Sequence, residues 1–352
     1  MSSAVENLAE ETAKMAINEK KFDTNWCDLS AKLKNRCIEH LELKERLLLR
    51  STSKIEQGLV DSQKTKVPFL KFQVWHNSST ISFGKNLLPD SRTLLKFPKN
   101  ENFVSTISTF QRLLKLADFE TLIIDFEREK ILSDDFPREP LSVKTLELES
   151  CSKKDQFFFL EILNAEGVTM IKFNADEEDA CHFNELLKIP KVTNCPFWQV
   201  SHLYRSDSAA RLAQIWIEKD AEIGKTFQVC AMKHGTVNEF RDQFKDRIVS
   251  KSPKLTRIRT NDPTKHIVLE LGLDDSYQWD NIEALQFLRL LVISSELNED
   301  TEYNWKTNDW MNILAPEYYF PGERWGGYDS DSSDSDSDTE MWNYDYYKFV
   351  QL

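Results

Sequence analysis

Leu122-Ile123-Ile124-Asp125-Phe126 is a short apolar run, and it reads as a buried β-strand. Just ahead of it, Phe103, Ile107, Phe110, Leu113, Leu114 and Leu116 recur at helical spacing. The same order, helix then strand, returns downstream. Phe157 to Leu163 precede Val168-Thr169-Met170-Ile171-Lys172-Phe173. Phe183, Leu186, Leu187 and Ile189 precede a strand from Val192 to Trp198. Leu212 leads to Gln214-Ile215-Trp216-Ile217, and Val237, Phe240, Phe244 and Ile248 precede Leu255 to Arg259.

The strand starts at Leu122, Thr145, Val168, Val192 and Gln214 are 23, 23, 24 and 22 residues apart. One strand and one helix in about 20–29 residues is the period of leucine-rich-repeat solenoids. The asparagine ladder of that repeat is absent, so the expectation is a degenerate leucine-rich-repeat-like α/β domain. An ordinary α/β domain with units of similar length is the other reading. A hairpin opens this region: Phe69 to Trp75 alternates, Asn77-Ser78-Ser79 turns, and Thr80 to Phe83 returns.

Upstream lies a helical zone, residues 26–64. Asp28 is placed to cap a helix whose apolar stripe is Leu29, Leu33, Cys37, Ile38 and Leu41. Arg46-Leu47-Leu48-Leu49-Arg50 starts a second helix. Ser51, Thr52 or Ser53 caps a third, with Ile55, Leu59 and Val60 facing inward. Three helices in so few residues bury little area, and a unit below about 40 residues usually needs a metal, a disulfide or a partner. The six cysteines form no CxxC pair, which leaves the partner. The predicted class is therefore mixed α+β and α/β, with three N-terminal helices ahead of the repeat-like domain. Its expected parts are a flexible arm at 1–24, the helical unit at 26–64, the main domain at 66–320 and a tail at 321–352.

The chain has 352 residues, of which 40% are apolar, 29% charged and 11% aromatic, a globular composition. Nine glycines are few, which argues against phosphate-cradling loops. The net charge is −13. From Glu296 onward fourteen Asp and Glu face three Lys and Arg, so the first 295 residues carry only −2. A duplex-binding protein needs a basic face, and nucleic acid is disfavoured as a partner. No apolar run of about 18 residues and no signal-type leader are visible, so a cytoplasmic or nuclear protein that spans no membrane is expected. The tail segment DSDSSDSDSDTE, 329–340, is low-complexity and expected to be disordered. Its Ser333, Ser335 and Ser337 each have an acidic residue three positions on, the pattern for an acidophilic casein-kinase-type enzyme. A merely solvating tail is the alternative. Trp342, Tyr344, Tyr346, Tyr347 and Phe349 follow, to dock back on the body or to bind a partner.

Signatures of catalysis are missing: no GxSxG, HExxH, P-loop or GxGxxG occurs. Cys181-His182 and Cys195 with His202 fit no zinc spacing, and Asp134-Asp135 and Asp274-Asp275 fall where turns are expected. Cys27 and Cys37 read as packing residues. No cofactor, no metal and no enzymatic activity of the chain itself are expected.

The run from Trp26 through Asp28-Leu29, Leu33, Cys37-Ile38 and Leu41 to Glu42-Leu43-Lys44-Glu45-Arg46-Leu47 resembles an F-box. It is most similar to the nematode-expanded F-box family that carries an FTH-type F-box-associated domain. The likeness is strong over 26–64 and looser over 66–310. It implies a substrate receptor of a cullin-RING, SCF-type ubiquitin ligase. The box would dock on the Skp-type adaptor, which holds the cullin scaffold, and the C-terminal domain would capture a target protein. Leu29, Leu33, Ile38, Leu41, Leu43, Leu47 and Leu48 match apolar box positions, some for the adaptor and some for the box's own packing. Lys32, Lys34, Arg36, Lys44, Arg46, Arg50 and Lys54 flank them and suit an acidic partner. Two positions depart from the pattern. Ser30 stands where proline is usual, and Lys54-Ile55-Glu56 lacks the aromatic that often ends the third helix. These departures favour the alternative of an interaction scaffold with a vestigial box.

Overall fold

The structure is a computed structural model. It describes residues 25–75, 78–85, 92–98, 103–126, 136, 138–174, 182–203, 206–231, 235–272 and 286–297. The chain divides into two compact units, Met1–Thr65 and Lys66–Leu352.

In the first unit a 3₁₀ turn, Trp26–Asp28, leads into three helices: α1 (Ala31–Glu39), α2 (Leu43–Arg50) and α3 (Lys54–Asp61). Asp28 lies inside the turn, so it does not cap α1; Ser30 holds the N-cap position instead. Glu42 and Glu45 close a capping box on α2. Ser53 caps α3 by accepting from the amides of Ile55 and Glu56.

The second unit is built on a 12-stranded sheet: β1 (Thr65–Trp75), β2 (Ser78–Gly84), β3 (Arg92–Pro98), β4 (Ala117–Asp125), β5 (Thr145–Glu149), β6 (Met170–Asn174), β7 (Phe197–Leu203), β8 (Thr226–Ala231), β9 (Ile248–Lys251), β10 (Leu255–Arg259), β11 (Lys265–Leu271) and β12 (Gln286–Ser294). The order is β3-β2-β1-β4-β5-β6-β7-β8-β12-β11-β10-β9. Strands β4 to β8 are parallel and lie side by side in chain order. The flanks are antiparallel: β1-β2-β3 on one side, β8-β12-β11-β10-β9 on the other. Helix α4 (Phe103–Leu116) leads into β4, and α5 (Lys153–Ile162) connects β5 to β6. The short α6 (Phe183–Leu186) and α7 (Pro190–Thr193) connect β6 to β7. Helix α8 (Ser208–Glu218) connects β7 to β8, and α9 (Thr236–Gln243) precedes β9. Edge strand β3 carries Arg92, Lys96 and Pro98, and edge strand β9 has only four residues, both devices that discourage further pairing.

The core runs as two rows along the helix-covered face. Leu122, Leu146, Ile171, Trp198 and Phe227 stand in register, as do Ile124, Leu148, Phe173, Val200 and Val229. None of the ten is more than 1% exposed. Aromatic rings fill the layer between rows and helices: Trp198 stacks on Phe183 at 5.7 Å, and Phe72 stacks on Phe110 at 4.9 Å.

The helix-then-strand order holds, but two expected strands are corrected. Val192 belongs to α7, which starts at Pro190, where proline's fixed φ suits a first helical position. Gln214 to Ile217 belong to α8, whose Ala209, Leu212, Ala213, Trp216 and Ile217 are buried at helical spacing. The true strands begin later, at Phe197 and Thr226. Thr121, Thr145, Met170, Phe197 and Thr226 stand abreast, so successive units span 24, 25, 27 and 29 residues. The expected near-constant period is thus an increasing one. In the opening hairpin Ser78 and Ser79 pair within β2 and are not turn residues. Residue 77 lies outside the described residues, as do 1–24, Asp134-Asp135, Cys181, Asp274-Asp275 and the whole tail with Ser333, Ser335 and Ser337. Among the described residues no helix is long and apolar enough to cross a membrane.

Truncating one rung of the buried rows is costly because the parallel neighbours cannot close over the gap. Leu148→Ala is expected to lower stability by about 2–5 kcal/mol. Leu94→Ala, at a site 40% exposed on edge strand β3, is expected to stay within about 0.5 kcal/mol. Urea denaturation of the two variants beside the wild type checks both.

Candidate functional site

The first candidate surface is on the helical unit. Its fully buried apolar side chains among the described residues are Ile38, Leu43 and Val60. A polar hub does much of the remaining work. The Glu56 carboxylate accepts from Trp26 Nε1 at 3.2 Å, from Lys34 Nζ at 3.2 Å and from the Ser53 hydroxyl. Lys34 Nζ also lies 5.5 Å from the centre of the Trp26 ring, within cation–π range. The Arg46 guanidinium is buried and donates to the carbonyls of Leu41 and Gln63. Arg50 grips Asp61 with two bonds of 2.7 and 3.0 Å.

This geometry sorts the expected adaptor residues. Ile38 and Leu43 are core. Leu29, Leu41 and Leu47 are half-buried. Leu33 and Leu48 stand out at 48% and 63% exposure. Ile55, expected to face inward, is 70% exposed. Cys27 and Cys37 are exposed and do not pack the unit. Lys34, Arg46 and Arg50 are engaged in holding the unit together, whereas Lys32, Arg36, Lys44 and Lys54 are exposed.

The second surface lies on the sheet face opposite the buried rows. Alternation along the strands puts Lys71, Gln73, Asp125, Glu147, Glu149, Lys172 and Asn174 there. Lys71 Nζ is shared between Glu149 at 2.6 Å and Asp125 at 3.5 Å, and Gln73 Nε2 donates to Asp125 at 2.8 Å. Asp125, Glu149 and Asn174 are the last residues of β4, β5 and β6. They therefore sit at the carboxyl edge of parallel strands, the usual place for ligands in such sheets. Just past Glu149, Ser150 has a left-handed backbone (φ 48°) that turns the chain toward α5, and its amide donates to the Asn174 carbonyl at 3.0 Å. Burial pushes the Glu149 carboxyl up to about 8, against the pull of Lys71. Burial and the nearby Asp155, Asp125 and Glu149 hold the Cys151 thiol well above its ordinary range, so it is an inert thiol. Burial likewise pushes the Cys195 thiol up, to about 11. Among the described residues no group of three or more His, Cys, Asp or Glu is placed to hold a metal.

Sequence reasoning missed this second surface, although the signal was present: Leu146-Glu147-Leu148-Glu149 alternates strictly, with carboxylates on one face. Compared with models of known families, with characterised proteins and with solved structures, the chain matches none of them.

The two carboxylates titrate with opposite consequences. Ser53, Lys34 and Trp26 hold Glu56 well below its ordinary range, at about 2. A carboxyl depressed by folding contributes stability above its ordinary value near 4.5 that is lost as pH falls toward 2. Glu149 is raised, so its contribution is present below about 4.5 and is lost as pH climbs through about 8. Thermal melts across pH 2–9 are expected to show that Glu56→Gln removes part of the acid-side loss. Glu149→Gln is expected to flatten the decline between pH 5 and 8.

Proposed function

We propose that this chain is a substrate receptor of an SCF-type ubiquitin ligase. The helical unit would dock on the Skp-type adaptor, which holds the cullin, and the sheet unit would hold the target. Ubiquitin transfer would then belong to the partners. One observation carries the reading. A three-helix unit with a private core of Ile38, Leu43 and Val60 leaves Leu33, Leu48 and Ile55 in water. Apolar anchors of this kind are what a desolvated interface uses. The exposed Lys32, Arg36, Lys44 and Lys54 would steer an acidic partner toward them.

The consecutive parallel strands β4 to β8 support reading the sheet unit as a degenerate leucine-rich-repeat-like body, ending in an antiparallel flank. The lengthening units and that flank mark its distance from a regular solenoid. A scaffold with a vestigial box is the second reading, favoured by Ser30 and by the missing aromatic in the stretch Lys54-Ile55-Glu56.

Binding of the purified Skp-type adaptor to the full chain tests the proposal. Leu48→Glu and Ile55→Glu are expected to weaken binding about thirtyfold or more. Both are exposed, so the melting temperature is expected to hold. Unchanged binding by both variants, or no binding by a folded wild-type chain, sinks the receptor reading and leaves the scaffold.

A further inference from the structure

We propose that Arg257 and His266 form a proton-operated latch on the chain's exit from the sheet, residues 294–297. The latch is closed while the imidazole is neutral and opens when the imidazole takes up a proton. It lies in the antiparallel flank of the sheet unit and stands whether or not the chain is a ligase receptor. What it governs is where the acidic stretch from Glu296 onward leaves the sheet.

Strand register puts both groups on one face. Arg257 of β10 stands opposite Val268 of β11, and His266 is two residues from Val268. The same face carries a small apolar cluster of Leu255, Val268, Leu291 and Ile293, with Leu297 packed against it. The Arg257 guanidinium is only 6% exposed. Its planar fork is aimed at the turn that follows β12. Nη1 donates to the Leu297 carbonyl at 2.9 Å, and Nη2 donates to the carbonyls of Ser295 at 2.9 Å and Ser294 at 3.4 Å. Nε donates to His266 Nδ1 at 2.8 Å. The clasped turn is also held by its own amides: Ser295 donates to the Thr264 carbonyl at 2.8 Å, and Leu297 to that of Ser294 at 3.3 Å.

Nδ1 can accept from Arg257 only while the imidazole is neutral and carries its proton on Nε2. Protonation turns both ring nitrogens into donors, so a donor then faces a donor beside a buried cation. The neighbouring charges sharpen the conflict. From β10, Arg257 and Arg259 face the ring, and Arg259 is its direct partner in the register. From β12 its partner is Ile293, with Arg289 further along the same face. On β11 itself Glu270 shares the face and is bound to Arg289 at 2.5 Å. In the turn before β11, Asp262 is engaged by Thr264 and Lys265, and Glu296 in the clasped turn is exposed. Burial, Arg257 and Arg259 together hold the imidazole below its ordinary value near 6.5. A group lowered in the closed form takes its proton more readily once the latch is open. Closure is therefore complete above about 6.5 and weakens as pH falls below it.

Hydrogen–deuterium exchange of the full chain at about pH 7.5 and about pH 5 tests the latch, each rate being divided by the intrinsic rate at that pH. Peptides covering residues 294–297 are expected to lose protection about fivefold or more at the lower pH. Strand β7 in the same molecule is the internal reference and is expected to hold. His266→Gln keeps an acceptor for Arg257 and cannot titrate, so its protection is expected to be the same at both pH values. Arg257→Lys keeps the charge and gives up the fork, and is expected to lose protection at both. Wild-type exchange at 294–297 that ignores pH overturns the proposal. So does a pH response in His266→Gln as large as that of the wild type, or one that spreads equally to β7. Full protection in Arg257→Lys overturns the clasp by the guanidinium.

Discussion

Five parallel strands laid down in chain order create two straight rows of apolar side chains on one face, and the architecture of the larger unit follows from covering them. Parallel strands cannot be joined by tight turns, so each junction supplies a crossover long enough to contain a helix. The helices of the β5–β6, β6–β7 and β7–β8 junctions, α5, α6 with α7, and α8, together with α4 ahead of β4, provide the cover among the described residues. On the opposite face the same strands place Glu147, Glu149, Lys172 and Asn174 at the alternate positions. Ion pairs join neighbouring strands on that face: Lys172 with Glu147 at 3.4 Å in the parallel part, and Arg289 with Glu270 at 2.5 Å in the antiparallel flank.

The helical unit solves a different problem. With few residues to bury, it is organised round a carboxylate rather than a large apolar core. Glu56 gathers Trp26, Lys34 and Ser53, and Arg46 ties the loop at Leu41 to the chain at Gln63. Fixing the helices with polar bonds releases leucines from core duty. Leu33, Leu48 and Ile55 can then face outward without the unit losing its shape. A larger apolar core would have claimed them. The polar hub and the exposed anchors are thus two sides of one arrangement.

Much of this was legible in the sequence, and the misses have physical causes. Helix periodicity found α4, whose apolar stripe is long, and also placed α5 and α9, although Ile248, read in line with α9, is the first residue of β9. It failed at Val192 and at Gln214 to Ile217, where short apolar runs fit a buried helix face as well as a strand. The resulting shift hid Thr226–Ala231, a strand whose Gln228 interrupts the apolar pattern. The antiparallel flank joins β12 to β8 across a long stretch of sequence, and no local pattern encodes that pairing. In the helical unit the helices themselves were readable from caps and leucines. The direction each side chain takes was not, because Lys34, Arg46 and Glu56 look like surface charges until their partners are known. The polar cluster at Lys71 and Glu149 depends on residues 78 positions apart. Only the strand alternation around Glu147 and Glu149 hinted at it.

The proposed receptor role requires the helical unit to take the adaptor. Hydrogen–deuterium exchange on the full chain, with and without the Skp-type adaptor, tests it most directly. Slowed exchange is expected in Ala31–Glu39, Leu43–Arg50 and Lys54–Asp61, with strands β4 to β8 unchanged. Exchange in the three helices that ignores the adaptor, or protection confined to the sheet strands, would contradict it.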